Sequence, residues 1–212
     1  MNNLIANPMF SSIVVLIVGV SAWFGLADGE VREKKATLSV FMDTVFYFVI
    51  LLFGFNAALN LTEVIEVPYR VLLFSSDVVW LATGSIAIYS GVKYGRKLWE
   101  NPAKAKSVSV LLTLIGLVNH LYLYFLYSST YALRFVGFYL IILLLLSFTS
   151  VAKKIDPLIL LLGTGIVHTL LMGGRSVIYF NFAFHSLPML SIFIVLSGLL
   201  FYQRRKSLLQ QK

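Results

Sequence analysis

The chain has 212 residues, 59% of them hydrophobic and 12% charged, with a net charge of +8 and a mean hydropathy of +0.88. So apolar a composition excludes an ordinary soluble domain, and the length leaves no room for one beside a set of membrane spans. The surplus cations sit in short stretches beside apolar runs, as orientation signals do, which argues against a nucleic-acid partner, and the lack of Cys excludes disulfides and thiolate chemistry.

A helix needs about 20 apolar residues to cross a hydrocarbon core about 30 Å thick. Apolar runs bounded by charge, Pro or Gly predict seven crossings, at about 10–27, 38–60, 71–92, 107–127, 135–152, 157–174 and 180–202. Met1 to Pro8 carry no Lys or Arg ahead of the first run, so the charged region of a secretory signal is missing and the first span is expected to be retained. Residues 1–212 therefore read as one polytopic domain, an all-α integral membrane protein built as a seven-transmembrane-helix bundle.

The connection between the third and fourth runs holds Lys93, Arg96, Lys97, Lys104 and Lys106. Together with Arg32, Lys34 and Lys35, with Lys153 and Lys154, and with Arg204, Arg205, Lys206 and Lys212, it places 14 cations on alternate connections, against only Arg70, Arg134 and Arg175 on the others. Cations are retained on the cytoplasmic face, so the expected orientation is amino terminus outside and carboxyl terminus inside, in the cell (plasma) membrane. Aromatic side chains agree: Tyr122, Tyr124, Tyr127 and Tyr131 crowd the outer end of the fourth span, while Tyr89, Tyr94 and Trp99 mark the inner end of the third and Tyr202 that of the seventh.

Seven spans divide into two triplets and a linker, and Ser85–Gly91 faintly echoes Ser191–Gly198. That layout is similar to the small sugar and vitamin carriers of the SWEET and PnuC type, from which the chain departs in having no Pro-Gln dipeptide. Gly163, Gly165, Gly173 and Gly174 are expected at close-packing or hinge positions in the sixth span. Pro188 is expected to kink the seventh.

Strongly polar groups inside a span are costly unless paired or wet, so each is a functional candidate. They are Asp43, Asn56, Asp77, Asn119, His120, His168, Asn181 and His185, with Arg175 at the outer end of the sixth span. At a rise of about 1.5 Å per residue, His120 and His168 come to nearly the same level, about 20 and 17 Å from the inner ends of their spans. Except for Asp43, the set gathers in the middle and outer thirds. This predicts a polar pocket lined by Asn56, Asp77, Asn119, His120, His168 and His185, in which Asp77 is a buried anion and Arg175 its partner or a gate. The competing reading is interhelical hydrogen-bond glue, worth about 0.6–2 kcal/mol per contact.

Three function classes follow. The first is a protein that binds or translocates a small solute through this pocket, a His or Asp77 carrying a coupling proton. The second is a membrane-embedded metal- or haem-dependent enzyme: three His and an Asp as zinc ligands resemble the seven-span ceramidase-like hydrolases, without their His-x-x-x-His pair, and His120 with His168 would serve as axial haem ligands. The third is a sensor, immunity or assembly factor acting on a partner membrane protein through the tail Gln203 to Lys212, or a homo-oligomer. A retinal pigment is excluded because the seventh span has no Lys, and no phosphate-loop, Gly-x-Ser-x-Gly or His-Glu-x-x-His motif occurs.

Overall fold

The computed structural model describes residues 8–147, 156–180 and 182–210. Asn181 and the cations Lys153, Lys154 and Lys212 lie outside them. The helices are α1 (Pro8–Leu26), α2 (Val31–Leu59), the short α3 (Leu61–Glu66), α4 (Ser76–Glu100), α5 (Pro102–Tyr127), α6 (Thr130–Ser147), α7 (Pro157–Leu171) and α8 (Ser186–Gln210). A 3-10 turn, Pro68–Leu72, follows α3, and an antiparallel hairpin, β1 (Ser176–Tyr179) and β2 (Phe182–His185), lies between α7 and α8.

Four of these helices, α2, α5, α6 and α8, are long and apolar enough to cross a bilayer, and α1 and α7 contain shorter apolar stretches, so the chain is an all-α membrane protein. α4 is the more polar one, with Asp77 in its first turn and Lys93, Arg96, Lys97 and Glu100 near its end.

Helix ends fall where the local chemistry places them. Ser75 caps α4 by accepting from the Val78 N–H, and Asn101 caps α5 by accepting from Lys104 N–H at 3.0 Å, with Pro102 fixing the first turn. The basic connection expected between 92 and 107 is thus reduced to Asn101, and its cations ride on helix ends. Gly173 and Gly174 have φ of +56° and +78° and no neighbour where a Cβ would stand, so they turn the chain out of α7 and are not close-packing positions. Pro188 sits in the first turn of α8, where it removes no helical hydrogen bond.

The bundle has two lobes. α5, half of whose spanning segment is buried, packs against α1, α6 and α7, while α4 packs between α2 and α8, and α7 also packs against α8 across the two. The helices therefore do not sort into the two sequential triplets, and α5 is a central helix where a triplet layout needs a peripheral linker. Close approach is set by glycine: a Cβ on Gly19 would meet Ile115, one on Gly116 would meet the Tyr139 ring, and one on Gly91 or Gly95 would meet Leu196 or Leu200 of α8. The hairpin joins the lobes, since Val177 belongs to the core of Trp23, Leu111, Phe135 and Tyr139, and Phe184 to that of Leu52, Val78 and Ala82.

The basic stretches meet at one end. Lys106 pairs with Asp28 at 3.0 Å, Trp23 donates to Ser107 O at 2.9 Å, and Lys34 donates to Phe24 O at 3.0 Å, which brings the end of α1 to the starts of α2 and α5. Lys93 donates to the Tyr89 hydroxyl at 2.6 Å and lies over the rings of Tyr47, Tyr89 and Tyr94. The hydroxyls of Tyr89 and Tyr94 hold its ammonium proton above the usual lysine range.

A candidate buried histidine–tyrosine site under the hairpin

α7 is only 15 residues long, and the hairpin folds back into the space above it. Non-helical backbone at membrane depth must find protein partners for its N–H and C=O groups. Asn119 of α5, 3% exposed, supplies them: its Nδ2 donates to Ile178 O at 3.0 Å and its Oδ1 accepts from Phe180 N at 3.5 Å. Phe180 opens the hairpin turn with φ of +49°, a conformation unusual for a bulky residue, and Asn119 holds both residues at that corner.

The turn carries Tyr179 into the bundle. Its hydroxyl lies 2.7 Å from the Tyr139 hydroxyl and 2.9 Å from His168 Nε2, and Tyr139 in turn lies 3.4 Å from His168 Nδ1. The hydrogen-bonding directions of the two ring nitrogens point away from each other, so two hydroxyls 2.7 Å apart cannot both lie along them, and the shorter contact, between Tyr179 and Nε2, is the hydrogen bond. Tyr139, Tyr179 and His168 therefore form an open chain, with the Tyr179 hydroxyl in the middle.

His120 stands beside this chain of groups at 1% exposure, its ring 5.9 Å from that of His168, 5.1 Å from Tyr179 and 4.8 Å from Phe135. Its Nδ1 lies 2.8 Å from the Gly116 carbonyl, which can only accept, so Nδ1 carries the proton and Nε2 presents a bare lone pair. That Nε2 is buried and meets no hydrogen-bond partner among the described residues. An unmet buried acceptor costs about 1–3 kcal/mol, as much as one or two of the surrounding hydrogen bonds contribute.

The residues expected to line one pocket are thus divided. His120 and His168 come together, their rings 5.9 Å apart, and Asn119 holds the hairpin that carries Tyr179 to them. Asn56 is fully buried but serves a different place, donating from Nδ2 to Arg70 O at 3.1 Å and Leu73 O at 3.2 Å while its Oδ1 accepts from Asn60. Asp77 is exposed in the first turn of α4, where the helix N-terminus favours a carboxylate, and is no buried anion. Arg175 is exposed and stacks over the Tyr131 ring at 5.6 Å. His185 is exposed on β2, not on a helix, with its Nδ1 2.6 Å from Ser176 Oγ. Among the described residues no group of three or more His, Asp or Glu assembles as metal ligands, and His168 Nε2 is engaged by Tyr179.

Tyr139 and Tyr179 are site residues that sequence reasoning passes over. Tyr139 had a signal, being the one hydroxyl-bearing side chain between Phe135 and Leu146 in an otherwise apolar run. The chain matches no model of a known protein family, no curated protein and no solved structure.

Proposed function

We propose that this chain is a seven-span protein of the cell membrane, amino terminus outside and carboxyl terminus inside, that binds or translocates a small solute at the His120–His168–Tyr139–Tyr179 cluster. Both the count of crossings and the orientation rest on the cation asymmetry and on the gathering of basic helix ends at one face. The observation that carries the solute reading is the lone pair of His120 Nε2, a buried acceptor held in one tautomer beside the Tyr139–Tyr179–His168 chain. A group presented in this way selects a hydrogen-bond donor, so the solute carries an O–H or N–H that meets His120, and the hairpin covers the site from the outside. Glue between helices explains the Tyr139, Tyr179 and His168 contacts equally well. It does not explain His120, because glue that leaves its strongest acceptor unused destabilises the fold.

Selective 15N labelling of the imidazoles reports only three side chains. In nanodiscs, titration with representative monosaccharides, amino acids and nucleosides should move the His120 Nε2 signal from the free-lone-pair position for one class, and the response should vanish in His120→Phe. An Nε2 signal that is already hydrogen-bonded before any addition, and that moves with none of these solutes, counts against the reading.

A further inference from the structure

Between α2 and α4 the chain runs Leu61-Thr62-Glu63-Val64-Ile65-Glu66-Val67-Pro68-Tyr69-Arg70-Val71-Leu72-Leu73, too short and too charged to cross a membrane. It is nonetheless well ordered by its own hydrogen bonds. Fully buried Asn56 holds the carbonyls of Arg70 and Leu73 and is itself braced by Asn60, while Arg70 pairs with Glu63 at 2.7 Å. Among the described side chains of the segment, only Val64 and Val67 are half-buried. Leu61, Ile65, Tyr69, Leu72 and Leu73 are left 57–71% exposed on a segment that cannot rearrange to hide them without releasing Asn56.

An ordered segment with five large apolar side chains in the open marks an interaction surface. We infer that residues 61–73 form a lipid-binding surface that lies flat in the boundary between headgroups and acyl chains, its apolar side chains in the hydrocarbon and the Glu63–Arg70 pair among the headgroups. Bilayer lipid is the occupant because the surface continues that of α2, of whose spanning segment only 6% is buried and whose last residue, Leu59, is itself exposed. The segment is short of cations, Arg70 being matched by Glu63 and followed by no Lys, so attachment is apolar and does not select anionic headgroups. Asn56 thereby acts as a staple that fastens an interfacial element to the end of a span. The inference is independent of the solute reading, since no residue of the histidine cluster enters it.

The chain has no native Cys, so a single introduced Cys carries a nitroxide label without background. In phosphatidylcholine nanodiscs, labels at Ile65→Cys, Tyr69→Cys and Leu72→Cys should collide with oxygen several-fold more readily than with a water-soluble nickel chelate, and labels at Thr62→Cys and Glu66→Cys should show the reverse. Equal access of the chelate to both sets would place the segment in water and overturn the inference. Shielding of Ile65, Tyr69 and Leu72 from both reagents would overturn it equally, in favour of a second copy or another protein on this face.

Discussion

Tyr139 of α6 crosses α5 so closely at Gly116 that a methyl group there would stand 2.6 Å from Cζ and 2.9 Å from the hydroxyl of the tyrosine. The same glycine offers its carbonyl to His120. One backbone position therefore sets both the depth at which Tyr139 enters the cluster and the tautomer of the neighbouring imidazole. Gly116→Ala should lower stability by about 1–3 kcal/mol, as overpacking in a filled interior does. Gly137→Ala, where nothing lies within 4 Å of the added carbon, should be neutral or slightly stabilising, and thermal melts of the purified protein in one detergent compare the two.

The hydrogen bond that Tyr139 and Tyr179 share predicts non-additivity. Tyr139→Phe and Tyr179→Phe each remove it and should each cost about 1 kcal/mol. The double variant loses it only once, so a double-mutant cycle should return a coupling energy above about 0.5 kcal/mol. Simple addition of the two effects would mean that the hydroxyls act separately.

Asn119 is the clamp on the hairpin corner, and Asn119→Leu keeps its bulk while leaving Ile178 O and Phe180 N without partners. Hydrogen exchange followed by mass spectrometry should show residues 176–185 exchanging at least tenfold faster in the variant, consistent with a loss of about 1–3 kcal/mol at that corner, while α5 exchanges as before.

Orientation is open to direct measurement. A reporter fused after Lys212 that is active only in the cytoplasm should be active, and one active only outside should be silent. Adding three Lys between Glu66 and Tyr69 should erode that asymmetry, since it places cations beside a span on the poorly charged side.

Much of the fold can be read along the chain, and much less around it. Each of the seven apolar runs overlaps a helix among the described residues, and four of those helices are long and apolar enough to cross a bilayer, because length and composition are one-dimensional properties that hydrocarbon selects directly. The level of His120 and His168 follows from the same arithmetic. Which side of a helix a residue faces does not, since spans that are apolar all round carry no stripe to orient them. Asn56 and Asn119 look alike in sequence, yet one staples a surface segment and the other clamps the hairpin. The hairpin itself was hidden for a related reason: Ser176–His185 is an apolar stretch running into the next helix, and strands and helices buried in protein draw on the same side chains. Gly173 and Gly174 read in sequence as close-packing or hinge positions, and only their positive φ values show that they turn the chain.

Tyr179 sits on the hairpin, whereas Tyr139 and His168 sit on helices. An outward swing of the hairpin therefore takes one hydroxyl away from both of its partners together, so uncovering the cluster and undoing its hydrogen bonds are a single event.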